Sequence, residues 1–190
     1  MEKQNHSHLL RNMAMVDVLT GLCNRRFADQ RLSAEVARSE RKGHPLTVVL
    51  LDLNNFKQTN DTYGHPAGDL VLQEFAGCLN RAIRKGDLAA RLGGDEFLLV
   101  LPECNLDQLH LVLDRIGPFK VEWCGQRIPV KCSAGWKQFT VGDRPEDMLA
   151  AADRALYENK RSGKPHEEVL AENAARRSHG GSSMKKFQTP

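Results

Sequence analysis

The chain has 190 residues and a formal net charge of +3 at neutral pH. That length suits one globular domain with short extensions and a core that needs no covalent staples. So mild a charge gives no footprint for nucleic acid or an anionic membrane, and five cysteines without C-x-x-C spacing exclude a disulfide frame or a zinc site in favour of reduced thiols. No apolar stretch follows Met1 to form a signal peptide, and the longest strongly apolar run, residues 48–51, is far too short to span a bilayer. A soluble cytoplasmic protein with no membrane segment is expected, either alone or as part of a longer sensor.

Leu9, Leu10, Met13 and Val16 form an i, i+1, i+4, i+7 apolar stripe, which predicts a short amphipathic helix over residues 5–16. It packs on its own domain or serves as a dimerising stalk. Asn24 is placed to cap a helix over 25–42, ended by Gly43 and Pro45. Residues 46–53 are β-branched and almost wholly apolar, as a central buried strand requires. A polar loop with Asn60, Asp61, Gly64 and Gly68 is expected next. Val71, Leu72, Phe75, Ala76, Leu79, Ala82 and Ile83 then recur at helical spacing over 67–85.

Two strands flank Gly93-Gly94 as a hairpin, the second over 96–101. A helix near 106–116 leads to a second hairpin, 119–124 with 127–139, turning at Gly125-Gln126. Pro145 opens a last helix, which Gly163 stops. Residues 166–177 read as a loose helix and 178–190 as a disordered tail. The order β-α-β-β-α-β, with extra helices and a hairpin, predicts an α+β fold of ferredoxin-like type: a central antiparallel sheet with helices on one side.

Asp52 closes the buried strand and Asp95 follows the Gly-Gly turn. Carboxylates at the ends of adjacent strands can share a cation, and so sparse a set of hard oxygen donors suits Mg²⁺, which also takes phosphate oxygens and water. Paired glycines allow positive φ and close approach of a bulky anion. Taken bare, a Gly-Gly-Asp turn is more often an ordinary hairpin.

The wider string Arg91-Leu92-Gly93-Gly94-Asp95-Glu96-Phe97 resembles the defining motif of the GGDEF family of diguanylate cyclases. Three further segments match that family in order and spacing. They are Asp17-Val18-Leu19-Thr20-Gly21-Leu22-Cys23-Asn24-Arg25-Arg26; residues 52–61 continuing to Gly64-His65 and Gly68-Asp69; and Ala152-Asp153-Arg154-Ala155-Leu156-Tyr157 with Lys160, Gly163 and Lys164. The resemblance implies a nucleotide-cyclase-type βααββαβ core over residues 17–165, with 1–16 as a helical lead-in and 166–190 as a tail. It implies condensation of two GTP into cyclic di-GMP and two pyrophosphates, by a homodimer, with no nucleic acid partner.

By the same resemblance, Asp52, the Leu53 carbonyl and Asp95 bind Mg²⁺, with Mn²⁺ as a substitute. Glu96 deprotonates or positions the ribose 3′-hydroxyl, and Asp95 is the competing assignment. Asn60 and Asp69 read guanine, with His65 either beside the nucleotide or packing its loop. Phe56, Lys57, Gly93 and Gly94 cradle phosphate, and Lys160 and Lys164, four apart on one helix face, clamp its far end. Arg84 and Asp87 match the family's R-x-x-D inhibitory site for the product, to which Arg91 adds.

Asn54 stands where the family often has a second Asp, Thr59 replaces an aliphatic residue, and Lys164 replaces a frequent Arg. Besides a purely structural partner domain, which leaves the full metal and base set unexplained, two rival functions remain. One is an inactive domain sensing cyclic di-GMP through Arg84 and Asp87, against which Asp52, Asp95 and Glu96 argue. The other is a cyclase of mixed base choice, against which Asp69 argues because adenine has no N1–H to donate.

Overall fold

The computed structural model describes residues 15–162. The expected N-terminal stripe up to Met13, the stop at Gly163, Lys164, the loose helix and the tail lie outside them. In chain order the elements are β1 (Cys23–Asn24), α1 (Arg25–Lys42), β2 (Leu46–Leu53), α2 (Phe56–Tyr63), α3 (His65–Ala82), β3 (Leu88–Gly93), β4 (Glu96–Pro102), α4 (Leu106–Ile116), β5 (Phe119–Trp123), β6 (Gln126–Val130), β7 (Cys132–Gln138) and α5 (Pro145–Ser162).

β2 sits at the centre because its residues can be buried on both sides. Val49, Leu51 and Leu53 pack with Phe75, Leu79 and Leu113, while Leu46, Val48 and Leu50 pack with Leu32, Met148 and Leu156. Helices therefore cover both faces of the sheet, not one as expected. A continuous apolar run is what a doubly covered strand needs. At the strand's end the pattern breaks at Asp52, the single residue of β2 that is not buried.

Helix ends follow local chemistry. The Asn24 side chain accepts from the Phe27 N–H at 3.0 Å and Gly43 closes α1 at φ 67°. A cap of this kind contributes about 1 kcal/mol. The expected polar loop after β2 is instead α2. Its apolar residues, Phe56 and Tyr63, lie seven apart, so two turns of helix bring both against the core. α3 begins at His65 with Pro66 in its first turn, and ends at Ala82, short of the expected boundary at 85.

The main sheet runs β1-β3-β4-β2-β7. β2, β3, β4 and β7 pair antiparallel in the ferredoxin-like order, and β1 adds a short parallel edge to β3. The long strand expected over 127–139 breaks at Lys131. β6 pairs with β5 in a separate two-stranded sheet, where Pro129 sits opposite Lys120, and β7 crosses to β2. Proline donates no ladder hydrogen bond, so it belongs on such an edge. α5 lies against β7 so closely that a Cβ on Gly135 would fall 2.1 Å from the Leu156 nitrogen and 2.3 Å from the Ala152 carbonyl oxygen. Among the described residues no helix is long and apolar enough to cross a membrane.

Candidate active site

The β3–β4 turn is built backbone first. Gly93 pairs with Glu96, leaving Gly94 and Asp95 in the loop, after a bulge between Arg91 and Gly93. Gly93 and Gly94 have φ 147° and 52°, and a Cβ on either would meet nothing within 4 Å. Glycine is required here by conformation, and the space beyond it is open. Phe97 anchors the turn from below, fully buried with its ring edge-on to Phe75 at 4.9 Å.

Arg91 braces the turn from the side. Its Nε and Nη2 donate to the Gly94 carbonyl at 2.9 and 2.8 Å, and its Nη1 donates to Asp17 Oδ1 at 3.2 Å. Asp17 also accepts from the Thr20 N–H at 2.9 Å and the Thr20 hydroxyl at 2.6 Å. Burial alone pushes the Asp17 carboxyl up, but the Thr20 hydrogen bonds and the Arg91 guanidinium outweigh it and hold it below the ordinary value. The first family-like segment is thus joined to the turn. All three Arg91 guanidinium nitrogens are engaged at this end of β3, four residues from Asp87, or roughly 13 Å of extended strand. The R-x-x-D turn, to whose inhibitory site the resemblance adds Arg91, lies at the other end of the same strand.

Asp52 and Glu96 lie opposite each other in the β2–β4 ladder, so both side chains project from one face of the sheet. The Leu53 N–H donates to the Asp95 carbonyl at 3.2 Å, which locks the end of β2 to the turn. Asp52 is 14 % exposed, and Lys160 Nζ lies 2.6 Å from its Oδ1. Burial raises the Asp52 carboxyl most; Lys160 pulls it down, the charge of Asp95 adds to the rise, and the net shift is upward. Two acids therefore press on each other where an ammonium has already been drawn in. Glu96 is more exposed, with Arg25 Nη2 3.7 Å from its Oε2. Arg25 Nε also donates to the Leu92 carbonyl at 3.2 Å.

Among the described residues no three His, Cys, Asp or Glu side chains converge as a metal-holding group. A cation at Asp52 and Asp95 would have to complete its shell from backbone carbonyl, ligand oxygens and water, which is the habit of Mg²⁺. The donor chemistry fits, and the Lys160 ammonium marks where positive charge settles. Asn54 stays out of this group. Its side-chain oxygen accepts from Ser133 at 2.7 Å and its N–H donates to the Lys131 carbonyl at 2.8 Å, so the carboxamide ties β2 to β7.

Phe56 and Lys57 occupy the first turn of α2, behind Asn55 at φ 59°, whose side chain makes no cap hydrogen bond. The first N–H groups of an α-helix lack intrahelical acceptors and favour anions. At the other end of α2, Asn60 lies against α3. A Cβ on Gly68 would fall 1.9 Å from Asn60 Oδ1 and 3.3 Å from Phe56 Cζ. Asn60 Oδ1 is buried with no hydrogen-bond partner, and an acceptor left so costs about 1–3 kcal/mol. Asp69 follows Gly68, exposed, and His65 is the exposed first residue of α3.

Arg84 and Asp87 close a turn at the opposite end of β3. Arg84 Nε and N–H donate to Asp87 Oδ1 and Oδ2, each at 3.1 Å, and Arg84 Nη2 donates to the Pro102 carbonyl. Arg31 on α1 donates to the Gly86 carbonyl at 3.1 Å while pairing with the buried Glu35 at 2.9 Å. Sequence reasoning assigned no role to Asp17, Thr20, Arg25 or Arg31. The family-like segment held the first three; Thr20 bonds locally to Asp17, but the partners of Asp17 and Arg25 across the sheet are distant in sequence.

The family model described as "Diguanylate cyclase, GGDEF domain" matches residues 14–166. Diguanylate cyclase DgcP of Pseudomonas aeruginosa is 41% identical over 175 residues, covering 88% of this chain and 26% of that protein. Diguanylate cyclase DgcS of Shewanella oneidensis is 38% identical over 152 residues, covering 80% of this chain and 51% of that one. The chain thus spans about a quarter and about half of the length of these two curated relatives. The crystal structure of the coiled coil and GGDEF domain of DgcB from Caulobacter crescentus, in complex with c-di-GMP, superimposes with a TM-score of 0.81 at 29% identity, covering 86% of this chain and 89% of that one.

Proposed function

This chain belongs to the GGDEF family of diguanylate cyclases, and from that premise we propose that it condenses two GTP into cyclic di-GMP, releasing two pyrophosphates. The observation that carries the reading is Asp52 opposite Glu96 at the end of β2, with the charge of Asp95 acting on Asp52 and Lys160 drawn to it. The reaction is attack of a ribose 3′-oxygen on the α-phosphorus of a second GTP, with pyrophosphate leaving.

Asn60 and Asp69 hold the guanine. The carboxylate accepts from N1–H and the N2 amine, and the orphaned Asn60 oxygen gains a donor. The α2 N-terminus with Phe56 and Lys57, the open face of Gly93 and Gly94, and Lys160 with Lys164 hold the phosphates. His65 stands at the edge of this nucleotide site. Glu96, opposite Asp52 and beside Arg25, orients the 3′-hydroxyl and takes its proton. Bound at Asp52, the Leu53 carbonyl and Asp95, Mg²⁺ or Mn²⁺ supplies Lewis-acid activation of the hydroxyl and screening of phosphate charge.

One domain holds one GTP, so two copies must face each other and positioning becomes a property of the dimer. The Arg84–Asp87 turn is the proposed inhibitory site for the product. Its arginine can fork onto a guanine edge or a phosphate, and its aspartate can accept from guanine N–H groups once their mutual bond opens. Arg91, held at the catalytic turn, braces that turn in this reading. The five free cysteines suit a reducing cytoplasm, where GTP is at hand.

The test is purified protein with GTP and Mg²⁺, the product read by mass spectrometry, run beside Arg84→Ala. Cyclic di-GMP is expected from both, with product inhibition relieved in the variant. Absence of product together with tight binding of added cyclic di-GMP would replace the enzyme by a sensor.

A further inference from the structure

Lys160 meets Asp52 from a direction fixed by two independent contacts. Gly135 lets α5 touch the β7 backbone, where any Cβ would strike Leu156 and Ala152. One residue before Lys160, the Asn159 side chain donates to the Ala134 carbonyl at 2.7 Å. Ala134 and Gly135 pair with Leu51 and Leu50, so the last turns of α5 lie over the end of β2. The ammonium is then 2.6 Å from Asp52 Oδ1, a charge-assisted contact, yet Lys160 remains 39 % exposed. Its anchor is rigid, whereas its own four-carbon stem is free to swing.

We propose that Lys160 is a tethered counterion that holds, in the nucleotide-free protein, the place on Asp52 that a divalent cation takes, so that metal binds well only together with a nucleotide whose phosphates draw the ammonium off. This rests on the reading of Asp52 as a metal ligand. An ammonium and a divalent cation on one carboxylate repel each other at contact distance, so the two compete for it. Nucleotide phosphate oxygens offer the ammonium a stronger anion than one carboxylate, and Lys160 is the cation positioned to change partners. The protein alone then does not sequester metal, and metal and nucleotide assist each other's binding.

The probe is Mn²⁺ on the full chain without nucleotide, with free ion counted by electron paramagnetic resonance and folding checked by circular dichroism. Lys160→Met is expected to tighten Mn²⁺ about fivefold, the equilibrium factor of a partly exposed ion pair, and Lys160→Arg to bind as the parent does. With a non-reacting GTP analogue present, parent and Lys160→Met should converge. Equal Mn²⁺ affinity of parent and Lys160→Met without nucleotide, while Asp52→Asn weakens it, would overturn the counterion and leave the metal ligand standing. Undiminished Mn²⁺ binding by Asp52→Asn and by the Asp52→Asn, Lys160→Met double variant would overturn the reading of Asp52, and the counterion with it.

Discussion

The β3–β4 and β5–β6 hairpins both reverse through two loop residues and two consecutive positive-φ positions, Gly93 with Gly94 and Cys124 with Gly125. The first carries the candidate site and the second carries none. The second turn holds both positive-φ residues in its loop, and the first holds one in the loop and one in the last strand pair, after a bulge. Both remain two-residue reversals, and their surroundings differ far more. The first hairpin lies inside a five-stranded sheet, where β2 delivers Asp52 opposite Glu96 and the entry segment delivers Asp17 to Arg91. The second forms its own two-stranded sheet, and its cross-strand ion pair, Arg127 Nε to Glu122 Oε1 at 2.6 Å, joins two side chains that are mostly in solvent. Such a pair adds little. A turn becomes a site when a third strand supplies the second acid and a brace removes the turn's freedom.

The largest effect should come from removing the acid that only the first hairpin has. Asp95→Ala is expected to reduce synthesis by at least roughly 10³-fold, the scale of losing a preorganised electrostatic group, with the melting temperature kept. Pyrophosphate release and thermal denaturation measure the two halves. Full activity in that variant would remove the metal assignment.

Breaking the brace should do less. Asp17→Asn is expected to lower activity about tenfold and stability at neutral pH by on the order of 1 kcal/mol, the net worth of a typical intramolecular hydrogen bond. The pH dependence has a definite sign. The folded carboxyl lies below the ordinary value of a free aspartate, so its contribution is present in full above that ordinary value. It is lost as pH falls through the lower, folded value. Urea melts of parent and variant should therefore differ most near neutrality and converge in acid. A constant difference across that range would show that Asp17 acts through something other than its charge.

The smallest effect belongs to the control hairpin. Gly125→Ala places a Cβ at φ 77°, with nothing within 4 Å for it to strike, so the cost is conformational alone, about 1 kcal/mol. A melting curve should register that loss while synthesis is unchanged; impaired synthesis would mean that the second hairpin takes part after all.

What could be read from the sequence depended on how local the cause was. Asn24 and Gly43 announce both ends of α1, and residues 46–53 announce β2, because caps and β-branched runs act within a few residues. α2 was hidden because Phe56 and Tyr63 are too sparse to show a period. The break at Lys131 was hidden because β5 and β2 compete for one continuous apolar segment, and only the assembled sheet decides between them. Coverage of β2 on both faces was signalled by its unbroken apolar run and was still read as one-sided. At the candidate site, motif resemblance singled out Asp52, Asp95, Glu96, Asn60 and Asp69 by position in the chain. The links from Arg91 to Asp17, Arg25 to Leu92 and Arg31 to Gly86 span 74, 67 and 55 residues, and no local pattern encodes such pairs.

Gly135 and the Gly93-Gly94 pair are invariant demands of two different kinds, and a substitution scan would sort them apart. At Gly135 any side chain collides with helix backbone, so a screen for folded protein alone would reject every replacement. At Gly93 and Gly94 the space is empty, so a replacement there meets no collision and costs backbone strain alone, and a selection for the proposed synthesis is needed to test what the open face does. Comparing the two selections would separate the glycine that lets a helix close on the sheet from the glycines that keep the face of the β3–β4 turn open.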